Sequence, residues 1–193
     1  GVSLIETLEA LYEIIKAGKV RYIGVSNETP WGVMTLLRLA EKHDLPRIVS
    51  IQNPYNLLNR SFEIGLSEIS HYEGVKLLAY SPLAFGCLSG KYLNNAKPDG
   101  TRCSIYERFQ RYFTPQGIKA TQAYVELAKD HKLDPAQMAL SFVNRQPFVA
   151  TNIIGATTLS QLEANINSLT ISLSEDFIRD LESVNTLYPN PCP

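Results

Sequence analysis

Apolar residues recur along this chain in two rhythms, and the switches between them mark out alternating helices and strands. Leu4, Leu8, Leu11 and Ile15 fall at helical spacing behind Ser3-x-x-Glu6, a capping-box pattern, and Gly18 stops them. Residues 21–26, RYIGVS, read as a strand that turns at Asn27. Thr29 and Pro30 form an N-cap and first-turn proline for a helix through Val33, Leu36, Leu37 and Ala40. Residues 48–52, IVSIQ, make a second strand whose exit, 53–60, is polar and turn-rich. A weaker helix is predicted over about 61–72, ended by Gly74.

The sharpest stretch is 75–91, VKLLAYSPLAFGCLSGK. Val75 to Ala79 is apolar apart from Lys76, which reads as a strand buried on both faces in a parallel sheet. Tyr80-Ser81-Pro82 ends it, and Gly86, Gly90 and Lys91 follow at once. The connection from Ser81 to about Pro115 is long for a compact domain, and such loops are functional or mobile. A helix is expected over 116–131, and Asp134-Pro135-Ala136-Gln137 opens another that runs to about Gln146. Residues 148–154 form a fourth strand, broken by Gly155. Thr158-x-x-Gln161 starts a helix through Leu162 and Ile166, and Ser174 starts the last, with Phe177, Ile178, Leu181 and Val184 on its buried face. This alternation implies right-handed βαβ units and an α/β fold with a parallel sheet. In such sheets ligands sit beyond the carboxyl ends of the strands. Nothing reads as a linker, so residues 1–193 are expected to form a single, partial domain.

Composition narrows the function classes. The chain has 193 residues, 45% hydrophobic and 19% charged, with a formal net charge of -1. That balance offers no basic surplus for nucleic acid, and no apolar run reaches the roughly 18 residues a membrane span needs. Three cysteines, Cys87, Cys103 and Cys192, share no metal spacing and suit a reducing, cytoplasmic compartment. Residue 1 is Gly and the sequence moves straight into a helix, so the chain is expected to begin in the middle of something longer.

KVRYIGVSN at 19–27 resembles the second signature of the aldo-keto reductase family, and the resemblance extends over all 193 residues. It is to the C-terminal half of that family's (β/α)8 TIM barrel, about strands five to eight with their helices and a C-terminal helix. The nearest branch is the bacterial one related to potassium-channel β-subunits. The family usually has Phe or Tyr where this chain has Glu28.

The resemblance implies a nicotinamide cofactor, NADP(H) in preference to NAD(H). Ser26, Asn27 and Gln52 would face its carboxamide, and Tyr80 would stack on its ring. Ser81, Pro82, Leu83, Ala84 and Lys91 would grip the pyrophosphate, with Arg102 paired to the same phosphates. Gly155, Thr157, Gln161 and Asn165 would take the adenosine 2′-phosphate and adenine. Many members carry lysine at the place of Gly155, arginine at that of Gln161 and glutamate at that of Ala164. The bland readings stay beside these. Ser, Asn and Gln satisfy turns, Lys91 and Arg102 sit on ordinary loops, and Gln161 is the third residue of a capping box.

Catalysis in the family rests on a Tyr proton donor with a Lys, a His and an Asp, drawn from the first four strands. This chain begins after them, so no residue here is assigned a catalytic role and no metal is needed. His43, His71 and His131 lie at predicted helix C-termini and read as surface residues. The implied function is carbonyl reduction of an aldehyde or ketone by hydride transfer, with this chain as the cofactor-binding part, inactive alone. The alternatives are a non-catalytic nucleotide-binding or regulatory subunit, or a half barrel closed by homodimerisation. The tail, 187–193, reads either as a cover over a barrel mouth or as a frayed end.

Overall fold

The computed structural model describes residues 2–106 and 108–193, so Gly1, where the chain's start was read, lies outside the described residues. In order the elements are α1 (Leu4–Lys16), β1 (Ile23–Ser26), α2 (Pro30–Lys42), β2 (Ile48–Pro54), α3 (Leu66–Glu73) and β3 (Lys76–Tyr80). After them come α4 (Arg102–Ile105), α5 (Pro115–Asp130), α6 (Pro135–Asn144), β4 (Val149–Ile153), α7 (Leu159–Asn167) and α8 (Glu175–Leu187).

Local chemistry starts the helices where the sequence says it should. The Ser3 hydroxyl accepts the Glu6 amide at 3.2 Å and the Thr29 hydroxyl accepts that of Gly32 at 3.1 Å. Thr114, Asp134, Thr158 and Ser174 do the same for Gly117, Gln137, Gln161 and Phe177 at 2.9, 2.9, 3.2 and 3.2 Å. Each such cap contributes about 1 kcal/mol by satisfying a donor the helix leaves open.

The fold is α/β, with four strands in the order β1-β2-β3-β4 of one parallel sheet. β1 pairs with β2, setting Val25 opposite Ile51 and Ser26 opposite Gln52. Gly24 is opposite Ser50, and a Cβ there would come within 2.8 Å of the Ser50 carbonyl oxygen. Only glycine lets these two strands approach so closely.

The residues gather into two compact units. The first comprises Gly1–Asn53 and Phe62–Leu78; its core includes Leu8, Val33, Leu36, Leu37, Ile48, Ile51, Phe62 and Leu77. Here α1 packs on α2 and α2 on α3, and Arg47 pairs with Glu73 at 2.8 Å. The second comprises Pro54–Ser61 and Ala79–Pro193, and its core is richer in aromatics: Tyr55, Tyr112, Tyr124, Phe142 and Phe177. There α5 packs on α6 and α8, and α6 on α7.

Several expectations shift. The helix expected over 61–72 divides, with a 3-10 turn at Ser61–Glu63 and α3 beginning only after Gly65, whose φ is 85°. The exit of β2 is turn-rich but not polar in its surroundings, since Tyr55, Asn56, Leu57, Leu58 and Asn59 are all buried. β3 alternates: Leu77 and Ala79 are buried, while Lys76, Leu78 and Tyr80 are half-buried, so one face is packed more completely than the other. β4 is more open still, with Ala150, Thr151 and Ile153 exposed. The long connection after β3 is shaped by two 3-10 segments, Ala84–Ser89 and Leu93–Asn95, and by α4.

The tail is not frayed. The Cys192 amide donates to the Leu58 carbonyl at 3.0 Å, and the Thr114 hydroxyl donates to the Pro191 carbonyl at 3.0 Å. Asn190 accepts the Arg60 amide at 2.9 Å and donates to the Ser61 hydroxyl at 3.0 Å. Four hydrogen bonds to distant residues outweigh the end's tendency to open.

Gly24 and Gly18 offer a paired check on the close approach. Gly24→Ala should lower the denaturation free energy by about 1–3 kcal/mol through overpacking. Gly18→Ala, at φ 70° with nothing within 4 Å of the added carbon, should lower it by about 1 kcal/mol through backbone conformation alone. Urea denaturation followed by circular dichroism measures both, and a Gly24→Ala chain as stable as wild type would refute the argument.

Candidate functional site

The carboxyl ends of β1 and β2 are joined through one carbonyl. Backbone oxygen of Gln52 accepts the Asn27 amide at 3.1 Å and the Ser26 hydroxyl at 2.9 Å. Asn27 holds φ at 53°, a conformation Asn tolerates better than most residues, and its side-chain amide donates to the Ser26 hydroxyl at 3.2 Å. Thus three of the expected residues, Ser26, Asn27 and Gln52, form one polar group in the first unit, and all three are exposed.

Glu28 follows them and turns its carboxylate back onto the start of α2. Its Oε1 accepts the Thr29 amide at 2.7 Å and the Thr29 hydroxyl at 3.3 Å. A Cβ on Gly32 would collide with that carboxylate. Asn53, next along β2, donates to the Glu28 carbonyl at 3.4 Å.

In the second unit, the end of β3 carries the other expected group. Tyr80 is half-buried and its carbonyl accepts the Tyr55 amide at 3.3 Å. Ser81, Ala84 and Phe85 hold φ at 54°, 49° and 58°, and Gly86 holds 95°. Pro82 and Ala84 are buried and Leu83 is half-buried, its carbonyl accepting the Gly86 and Leu88 amides at 2.8 and 3.3 Å. Lys91 is exposed and lies over Gly86, where an added Cβ would sit 2.9 Å from the ammonium nitrogen. Glycine at 86, at positive φ between half-buried Phe85 and buried Cys87, leaves room for the Lys91 side chain to cross the loop.

Arg102 begins α4 and is exposed. Its guanidinium lies over the Phe85 ring at 5.8 Å and the Phe109 ring at 5.2 Å, so ring contacts hold it beside the same loop. Cys87 lies within the loop, and burial pushes its thiol up to about 12. Cys103 is half-buried, its sulfur 3.9 Å from the Phe85 carbonyl. Burial also raises the Cys192 thiol.

The fourth strand exit is of a different kind. Gly155 and Thr157 are exposed. Gln161 is committed locally, its Oε1 accepting the Thr157 amide at 2.9 Å and hydroxyl at 3.0 Å. Asn165 is only 8% exposed and points back along the strand exit, its amide 3.5 Å from the Gly155 carbonyl. The two side chains therefore shape the start of α7, where the Thr158 hydroxyl accepts the Gln161 amide at 3.2 Å and meets the Ser160 hydroxyl at 3.0 Å.

The histidines stand apart from these groups. His43 and His131 follow the last turns of α2 and α5, His71 lies in the last turn of α3, and all are exposed. Among the described residues no three His, Cys, Asp or Glu side chains are placed to hold a metal ion, and no helix is long and apolar enough to cross a membrane.

Sequence reasoning missed Asn56 and Tyr112, both buried behind the β3 loop. Asn56 does carry a local signal, an Asn whose side chain accepts amides two and three residues on, but Tyr112 is 56 residues away and carries none.

The sequence profile of the Aldo/keto reductase family matches residues 2–186. The chain is 62% identical, over all 193 of its residues, to Protein tas of Escherichia coli K12 and of Shigella flexneri. It covers 56% of each, so it spans about half the length of the curated relatives it matches. It is also 34% identical over 179 residues to an L-glyceraldehyde 3-phosphate reductase of Escherichia coli K12, covering 88% of this chain and 51% of that protein.

Thiol labelling reads the loop's packing directly. With a thiol near 12, only about one Cys87 in ten thousand is thiolate at pH 8. Cys103 should react first with Ellman's reagent, and Cys87 and Cys192 only after denaturation. Three thiols titrating at one rate in the native chain would contradict this packing.

Proposed function

The chain belongs to the aldo/keto reductase family, and on that premise we propose that it is the cofactor-holding C-terminal part of a barrel reductase. It would be one partial domain that, within the complete protein, serves reduction of an aldehyde or ketone. The observation that carries the reading is the Gln52 carbonyl binding both Ser26 and Asn27. It holds hydroxyl and amide groups at two neighbouring strand ends, a set able to meet both donor and acceptor of a carboxamide.

The residues of the second unit fit the rest of an NADP(H) molecule. Tyr80 offers a ring beside the strand end. Ser81 to Ala84 and Lys91 offer a cradle and a cation for a pyrophosphate, and Arg102 a second cation held by rings. The start of α7 offers the positive end of a helix near Gly155 and Thr157, with Gln161 and Asn165 holding that turn in shape. NADP(H) is the preferred cofactor on the family branch, with NAD(H) as the alternative. When bound, it would supply the hydride. The proton donor and its Lys, His and Asp partners are assigned outside these 193 residues, so the chain alone should not turn over substrate. Three free thiols fit a reducing, cytoplasmic setting. One relative is named for acting on glyceraldehyde 3-phosphate; an aldehyde of that general class is a reasonable first substrate to assay in the complete protein.

Titrating the chain with NADPH and NADH, followed by cofactor fluorescence, tests the reading. Saturable binding with NADPH the tighter is expected, and Lys91→Ala should weaken NADPH by about tenfold through loss of a charged contact. If neither dinucleotide changes fluorescence, the assignment of cofactor binding to this chain is wrong. Turnover of NADPH with an aldehyde above blank, surviving Tyr80→Phe, would overturn the placement of proton transfer elsewhere.

A further inference from the structure

Asn56 is wholly buried, at 0% exposure, and every hydrogen-bonding position of its amide is used. Its Nδ2 donates to the Ser81 carbonyl at 2.9 Å and to the Tyr112 phenol oxygen at 3.0 Å. Its Oδ1 accepts the amides of Leu58 and Asn59 at 2.9 and 3.0 Å. One side chain thus ties the exit of β2, the exit of β3 and the segment before α5 to one another.

The tie falls on the residue that sets the course of the β3 loop. The Ser81 carbonyl also accepts the Ala84 amide at 2.9 Å. With Ser81, Ala84 and Phe85 all at positive φ, the loop occupies a conformation that non-glycine residues disfavour and that persists only where surrounding contacts impose it. Tyr112 supplies a second contact, its ring meeting that of Phe85 edge-on at 4.8 Å. The loop is therefore held at Ser81 by the Asn56 amide and at Phe85 by the Tyr112 ring.

We propose that Asn56, backed by Tyr112, is a positioning residue for pyrophosphate binding: by holding the Ser81 carbonyl inward it fixes the direction in which the loop 81–86 presents itself to a dinucleotide. The inference rests on the nucleotide reading above. It predicts a selective defect. Ligands that carry a pyrophosphate should suffer when Asn56 is altered, and an adenosine monophosphate should not.

Asn56→Asp keeps the oxygen that serves Leu58 and Asn59 but sets a carboxylate oxygen against the Ser81 carbonyl. Tyr112→Phe keeps the ring on Phe85 and removes only the phenol oxygen, a milder change that covers the case in which Asn56→Asp does not fold. Two readouts apply to the 193-residue chain. Hydrogen exchange at the Ala84 amide should rise about tenfold in Asn56→Asp, as the turn it closes opens. Calorimetric titration should show ADP-ribose weakened by about tenfold and 2′-AMP by less than about twofold, with Tyr112→Phe shifting both readouts the same way by about threefold. Unchanged Ala84 exchange in both variants overturns the inference, as does equal weakening of ADP-ribose and 2′-AMP. A wild-type chain that binds neither ligand removes the nucleotide reading and the inference with it. A wild-type chain that binds both, beside variants that bind both as well, removes the inference alone.

Discussion

A parallel strand that stops leaves amide and carbonyl groups without a ladder partner, and buried groups of that kind must find one elsewhere. How this chain meets that demand decides where its polar side chains stand. At the end of β1 the Asn27 amide returns to the Gln52 carbonyl. At the end of β3 the Tyr80 carbonyl receives the Tyr55 amide, and the next carbonyl, Ser81, receives two donors. Each solution turns the backbone sharply at the residue after the strand, which is why Asn27 and Ser81 both sit at positive φ.

What the sequence made legible was whatever depends on residues three or four apart. Five of the six side-chain caps, all but that of Thr114, were readable because an N-cap and its partner amide share one turn. Strand positions were readable from short apolar runs, and the residues at their exits followed. The environment of residues 53–60 was not, because polarity of composition says nothing about what packs around it; Asn56 can be buried because its side-chain amide is used up internally, and the Asn59 oxygen accepts the Ser61 amide. The docking of residues 190–192 onto 58–61 spans some 130 positions and leaves no periodic trace. The half-open faces of β3 and β4 also escape a reading based on hydrophobic runs, since a run reports how apolar a strand is and not how much of it is covered.

At the candidate site the family resemblance supplied roles, and physical reading sorts them by what each side chain is already doing. Ser26, Asn27 and Gln52 are joined and exposed, and Lys91 is exposed across a glycine. Gln161 and Asn165 are engaged with their own neighbourhood, Thr157 and Gly155. Arg102 lies between, charged and exposed but resting on two rings. Groups of the first kind are open to solvent. Those of the second shape the backbone around them.

Glu28 stands where the family resemblance implies an aromatic ring, and its carboxylate accepts the amide of Thr29, the residue that caps α2. A carboxylate at that position complements the positive end of the helix dipole. The same choice constrains Gly32, since any larger residue would displace the carboxylate. Positions 28 and 32 are therefore coupled: a side chain at the second fits only if the carboxylate at the first swings away from Thr29.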